Sequence, residues 1–328
     1  MNRQGSASLM VLSLLLFFSV MFLGGAAAIE LSVGGLDASR LDDEARKSLR
    51  AAAEAAVSGL LSDPTPFADS PRDPVWEILR APRGDGIRVT LEDASSRLGL
   101  NWIREELLAD SGALLPGHAA QEVQEYRERA GLSLRWDSGY DAFVAAETLE
   151  RLFTPYGWFN INITDEFVLR AVHRSRGRDP VAAEQFHLAV QRARIARRMI
   201  TPEDLGAFLG DDGARLLFPV VNAEPALNIH FVPDEVLDIL VAHYDIAPPT
   251  ARSLREARRG GELTPVGLQR LLAGVPNGEL VAAYLGLRTW FWRVDVERAG
   301  RHLEWIVARV PRRDGIPEFR LVEERYDP

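Results

Sequence analysis

The sequence predicts an α+β fold in which a small antiparallel sheet is interrupted by a large helical insertion and preceded by a long N-terminal helix. Three observations predict it. An uncharged apolar run extends from Leu9 to Ile29, period-2 alternation occurs around residues 87–91 and again over 290–307, and helix-period patterning fills the interval from about 104 to 275. The 328 residues carry 38 Lys+Arg against 47 Asp+Glu, and 47% are hydrophobic, enough for a sizeable core and against a disordered or collagenous chain. With no cysteine, disulfide scaffolds, thiolate metal sites, cysteine nucleophiles and lipoprotein anchors are excluded together. A formal net charge of -9 opposes bulk binding to nucleic acid, which relies on clustered cations.

The apolar run, as a helix, measures about 30 Å, the thickness of a bilayer's hydrocarbon core. Leu9, Leu16, Phe18 and Leu23 are its expected membrane-anchoring side chains. The same residues fit a secretory signal whose apolar core, Leu9–Leu23, is followed by the small residues Ala26-Ala27-Ala28. Two outcomes therefore stand side by side: cleavage after Ala28, releasing a soluble exported protein, or removal of a short leader ending at Gly5, leaving Ser6 as the new N-terminus of a membrane helix. Behind the run, Leu41, Ala45, Leu49, Ala52, Ala56 and Leu60 recur at helical spacing with charges between them, which predicts an amphipathic stalk helix over 36–61 stopped by Pro64. Gly34-Gly35 predicts a bend between the two helices.

The proline-rich stretch 63–85 reads as a loop with one short apolar piece, Val75–Leu79. Ile87, Val89 and Leu91 then alternate with polar residues as a half-buried strand, and Ser95–Trp102 is a turn followed by a second apolar piece. Helical segments are expected at Arg104–Leu108, Ala119–Ala130, Ala142–Phe153, Glu166–His173, Val181–Met199, Glu203–Phe208, Asp234–Tyr244, Thr250–Arg258 and Pro265–Leu272. Near the C-terminus, Trp290, Trp292, Val294 and Val296 alternate along one strand and Leu303, Trp305 and Val307 along another. The Arg298–Arg301 turn joins them into a hairpin with aromatic cross-strand pairs, and Phe319–Glu323 offers a third strand. Within the helical block, Phe159–Phe167 and Leu227–Leu237 share an Asn-Ile start and an Asp-Glu helix opening, a weak internal repeat that suggests two related units.

Several of these segments resemble a known family. The leader ending at Gly5, the Ser6 start and the Ala-rich helix with Glu44-Ala45-Arg46 resemble the N-terminus of type IV pilin-like proteins. Val89–Asn101 resembles the acidic strand-turn of the K-type minor pseudopilins of type II secretion systems, the GspK family. Ala226–Leu240, with Ala251–Arg258 and Leu263–Leu272, is similar to that family's helical unit, and Tyr284–Phe291 to its re-entry into the sheet. The resemblance covers nearly the whole chain in family order. It implies a leader at 1–5, a membrane and stalk helix at 6–62, a pilin-like domain formed by 63–103 and 277–328, and an inserted helical domain at 104–276 with two SAM-like helix-hairpin units.

In function, the resemblance implies a structural subunit that is not an enzyme. It would be anchored by one pass in the bacterial inner membrane with its globular part in the periplasm, processed by the prepilin peptidase, and placed at the tip of the pseudopilus. Its partners would be the I- and J-type minor pseudopilins, other pseudopilus subunits and inner-membrane lipid, with no nucleic acid. Stalk packing against neighbouring subunits would use Leu41, Ala45, Leu49 and Ala56. Departures accompany it: Met10 stands at position five of the processed chain, where ordinary pilins carry Glu, and His230 replaces a usual Asn. No cofactor is expected. Calcium, bound by some relatives, has no ligand-dense loop here to hold it.

Motifs for catalysis are missing: there is no Gly-x-Ser-x-Gly elbow, His-Glu-x-x-His helix, phosphate-binding loop or dinucleotide fingerprint. No two of the six histidines stand at metal-ligand spacing. The carboxylates Glu203-Asp204 and Asp211-Asp212 offer oxygen ligands, but Thr201-Pro202-Glu203-Asp204 reads first as a capped helix start. Arginines 192, 194, 197 and 198, and 252, 255, 258 and 259, form two basic stretches. The second adjoins a hairpin, Tyr244–Thr250, that superficially resembles a membrane-tethered helix-hairpin-helix DNA reader. That hairpin has no glycine to let backbone N–H groups approach phosphate, and two prolines that lack them.

Overall fold

The structure is a computed structural model that describes residues 41–328 apart from 64, 66–67, 74–75, 77–85, 101, 112–150, 178, 197, 218–220, 262, 311–317 and 328. Gly5, Ser6, the anchor residues Leu9, Leu16, Phe18 and Leu23, the helix expected at Ala119–Ala130 and all but the last residues of that expected at Ala142–Phe153 lie outside the described residues; Phe153 itself is in a strand. Among the described residues no helix is long and apolar enough to cross a membrane.

The stalk expectation holds from residue 41: 41–61 is a continuous helix, α1. Its apolar residues recur at Leu49, Ala52, Ala53, Ala56 and Leu60, one face of a helix, and all five are buried. That face covers one side of a four-stranded antiparallel sheet of order β1-β8-β9-β10, with strands β1 (Arg88–Asp93), β8 (Phe291–Arg298), β9 (Arg301–Val310) and β10 (Glu318–Asp327). Alternation decides which side chains it meets: Trp292, Val294 and Val296 from β8 and Leu303, Trp305 and Val307 from β9 join its cluster, while Phe291, Ile306 and Ala308 belong to a second cluster with the inserted helices. The small alanines let the helix lie close to the sheet. At its edge Arg46 and Arg50 each reach a Glu324 oxygen at 2.6 Å, and Tyr326 donates to Asp42 at 2.5 Å.

The expected C-terminal hairpin forms, turning at Ala299 (φ 50°) and Gly300 (φ 83°), a two-residue loop with both positions left-handed. Its aromatic residues do not face each other. Trp292 stands opposite Val307 and Val294 opposite Trp305, so each indole packs on a β-branched neighbour. The third strand also forms, longer than expected, as Glu318–Asp327.

Between β1 and β8 the chain builds repeated units of one design. Each opens with a two-residue strand, β2 (Leu98–Gly99), β4 (Phe159–Asn160) or β6 (Leu227–Asn228). Each closes with a parallel partner, β3 (Phe153–Thr154), β5 (Val221–Asn222) or β7 (Leu285–Gly286). The same backbone bond recurs in all three: Leu100 N–H to Thr154 O at 2.9 Å, Ile161 to Asn222 at 2.8 Å, Ile229 to Gly286 at 2.9 Å. Four-residue linkers, 94–97, 155–158, 223–226 and 287–290, join β1 to the first unit, each unit to the next, and the last to β8. The sequence suggested two units; the described residues hold three. The missed copy begins at Leu98-Gly99-Leu100, where Gly stands in the place of Asn160 and Asn228 and hides the likeness. By strand order the insertion runs from Leu98 to Gly286, wider on both sides than the 104–276 span expected.

The helices of these units are α2 (Glu105–Ser111), α3 (Glu166–Ser175), α4 (Pro180–Ile195), α5 (Pro202–Leu217), α6 (Asp234–His243), α7 (Pro248–Gly260), α8 (Pro265–Leu272) and α9 (Gly278–Tyr284). Two of their starts are capped by a side chain ahead of a proline: Asp179 accepts from Ala182 N–H before Pro180, and Thr264 accepts from Gly267 N–H before Pro265. Gly210, at φ 65°, kinks α5 close to where Glu203–Phe208 was expected to end. Helix α9 was not expected.

Candidate functional site

Two buried carboxylates mark the place where the sheet, the first unit, the last unit and the loop before β1 converge. Asp93 ends β1 and is buried. It accepts from Ser95 N–H and Oγ at 2.7 and 2.8 Å, from Ser96 N–H and Oγ at 2.9 and 2.5 Å, and from Thr289 Oγ1 at 2.7 Å. The three hydroxyls pass the connection on: Ser95 Oγ accepts from Trp290 N–H, Ser96 Oγ from Asn228 N–H, and Thr289 Oγ1 from Asn228 Nδ2. Burial pushes the Asp93 carboxyl above its ordinary range, and its hydroxyl and amide donors pull it back.

Asp69 lies alongside, clamped by Arg309 of β9 through two bonds of 2.7 and 2.8 Å. Thr289 N–H donates to it at 2.7 Å, while its own N–H donates to Leu287 O and its carbonyl accepts from Asn228 Nδ2. Burial raises this carboxyl as well, and the Arg309 guanidinium opposes it through its charge and its two hydrogen bonds. Sequence reasoning missed this centre. Asp69, Asp93, Asn228, Thr289 and Arg309 are far apart in the chain, and the one local signal was the Asp93-x-Ser95-Ser96 pattern of an Asx turn.

Asp63, Asp69 and Asp73 form the one group of three or more such side chains among the described residues whose ligand atoms lie within 4.8 Å of one another. They do not fit a calcium cage. Both oxygens of Asp69 are taken by Arg309, Asp63 accepts from Thr65 N–H and Oγ1, and Asp73 from Ser70 N–H and Oγ, whereas calcium wants six to eight oxygens free to face it. Burial raises the Asp73 carboxyl, which also opposes a charged cluster. Beside the junction is a cavity of about 190 Å³ with Trp76, Phe231 and Arg97 among its lining residues. Every hydroxyl of the junction is committed to a carboxylate and to a backbone or amide donor, so the arrangement positions segments and offers no free nucleophile.

The remaining candidates fall out as follows. Leu49 and Ala56, expected to pack against neighbouring stalks, are wholly buried against this chain's own sheet, because the sheet offers α1 an apolar face within the same molecule. Leu41 is 62% exposed and Ala45 half-buried, so of the four these two remain accessible. Glu203-Asp204 is a helix cap: Asp204 N–H donates to Thr201 Oγ1 and Thr201 N–H to Asp204 Oδ2. Four arginines of the basic stretches make contacts within the chain. Arg194 donates to the Ile161 and Thr164 carbonyls and Arg258 to that of Val232, equivalent turns of two units, while Arg198 pairs with Asp204 and Arg255 with Asp238. His230, in the place of Asn162, meets the Arg258 carbonyl at 3.2 Å, as Asn162 crosses to Ile200. Two histidines do come together: His173 of α3 and His187 of α4 are buried with ring centroids 4.8 Å apart, a pairing between helices that sequence spacing did not reveal.

No family model matches the chain. No curated protein matches it either. Among solved structures it is similar to a chain in the crystal structure of the GspK-GspI-GspJ complex from the enterotoxigenic Escherichia coli type 2 secretion system, at 13% identity over 88% of this chain and 98% of that one. The TM-score is 0.32, too low to establish a shared fold.

Proposed function

We propose that this protein is a minor pseudopilin of the K type, a structural subunit that supports protein export by assembling at the tip of a type II secretion pseudopilus and has no catalytic role. The observation that carries the reading is the architecture: a helix laid along one face of a small antiparallel sheet, with a large helical insertion between the first strand and the rest. The ordered resemblance of segments from Gly5 to Phe291 supports the same reading. In it, the apolar run Leu9–Ile29 holds the chain in the inner membrane and the prepilin peptidase cuts after Gly5. The I- and J-type subunits then meet the chain on its periplasmic side, and the three inserted units leave no room for a further subunit above.

The buried junction gives this role a physical basis. A tip subunit must transmit force between its helix and its bulk, and Asp69, Asp93 and Arg309 tie the inserted units to the sheet on which α1 lies. The test is the mature N-terminus, read by mass spectrometry from membrane and soluble exported fractions of the native host. A start at Ser6 in the membrane fraction is expected, together with co-purification of I- and J-type subunits. A start at Ile29 in the soluble fraction refutes the proposal. A Gly5 variant with a bulky residue should remain unprocessed and fail to support secretion.

A further inference from the structure

Helix α4 carries an apolar seam that no described residue covers. Val181, Leu188 and Ile195 are 65%, 42% and 77% exposed, and Ile195 and Val181 are the most exposed large apolar side chains among the described residues. Seven-residue spacing places all three along one line of the helix, drifting about 20° per step, the repeat with which one helix meets another at a shallow left-handed crossing. Between them the same face presents Glu184, Gln185, Gln191 and Arg192, all exposed. The opposite side of α4, with Phe186, His187, Val190 and Ala193, is buried in the chain's own core.

The order of these residues is self-complementary about Leu188. Laid antiparallel against a second α4, with Leu188 meeting Leu188, the helix brings Val181 opposite Ile195, Gln185 opposite Gln191 and Glu184 opposite Arg192, each pair occurring twice around the two-fold axis. A parallel pairing in register sets Glu184 against Glu184 and Arg192 against Arg192, two like-charge contacts. We infer that the exposed face of α4 is a self-association surface, pairing antiparallel with α4 of a second copy of this chain. Glu184 also meets Arg170 of its own chain at 2.5 Å, so the intermolecular ion pair extends an existing one and is partly exposed. A helix of this length is about 24 Å long and contributes three apolar layers. Such a contact is smaller than the roughly 1,200 Å² that a stable dimer buries, so the association is weak and reversible. The inference does not depend on the pseudopilus reading.

The absence of cysteine makes the test clean, since any introduced thiol is the only one in the chain. In the full-length protein, Leu188→Cys places two thiols on the axis. Mild oxidation should give a disulfide-linked dimer at several-fold higher yield than Val181→Cys or Ile195→Cys alone, whereas a mixture of those two variants should cross-link to each other. Glu184→Arg should lower the L188C yield several-fold, and adding Arg192→Glu should restore it. All five positions are exposed, and circular dichroism confirms that each variant folds. Equal yields from the three single-cysteine variants, self-linking favoured at V181C, or no rescue by the charge swap would each overturn the antiparallel pairing.

Discussion

Replacing Arg309 by Met tests what holds the inserted units to the sheet. The Asp69 and Arg309 side chains are 2% and 4% exposed, and the two bonds between them, at 2.7 and 2.8 Å, satisfy both carboxylate oxygens. Arg309→Met leaves that carboxylate buried with the Thr289 N–H as its remaining donor, next to a second buried acid, Asp93. Stranding one partner of a buried pair costs about 3–5 kcal/mol. At about 2–4 °C per kcal/mol for a folded unit of this size, the melting temperature should fall by roughly 6–20 °C. Asp69→Leu combined with Arg309→Met leaves no stranded charge and loses mainly the acceptor for Thr289, about 1–3 kcal/mol. The double variant should therefore be more stable than Arg309→Met alone, a coupling that a denaturant-based double-mutant cycle on the full-length chain measures directly. Amide exchange at Asp69 and Thr289 should accelerate in the single variant, since each N–H bonds across this junction. A loss below about 1 kcal/mol in the single variant, or additive losses in the double, would refute the argument that the pair clamps the units in place.

Gly99→Ala should destabilise by about 1–3 kcal/mol, because an added Cβ would lie 1.9 Å from the Trp102 indole, itself buried; an unchanged denaturation midpoint would show that the ring can move aside. Leu49→Ala should cost about 2–5 kcal/mol by opening a cavity between α1 and the sheet, whereas Leu41→Ala, at an exposed position, should change the midpoint little. Burial holds the His230 imidazole below its usual pKa. The unfolded chain then takes up a proton that the folded chain resists, so this contribution is complete above about pH 6.5 and is lost as the pH falls through the window below it. In His230→Asn that slope should flatten, as read from denaturation midpoints of both proteins across pH 5–8.

Periodicity alone determined a good part of this protein. The helix over 41–61, the strand at 88–93, the hairpin turning at Ala299-Gly300 and the helix Pro265–Leu272 each obey a rule confined to a few consecutive residues: a 3.6 or 2.0 repeat, a proline at the first turn, a short loop between alternating runs. Glu203-Asp204 could be read as a cap rather than a ligand pair for the same reason, because its partner Thr201 is three residues away at most.

Distance in the chain decided what stayed hidden. The repeated unit closes through a parallel pair of two-residue strands whose partners lie in separate parts of the sequence, and two residues are too short to show alternation; with Gly99 in place of Asn, the first copy carried no visible mark. His173 and His187 meet because two helices pack, and Asp69 finds Arg309 because a loop before the sheet lies against β9, 240 residues further along the chain. Leu49 and Ala56 show the limit most clearly. An apolar stripe on a helix states that the helix must cover something, and only the tertiary structure decides that what it covers is the chain's own sheet rather than a neighbouring stalk, since burial within the same chain costs no translational entropy of association.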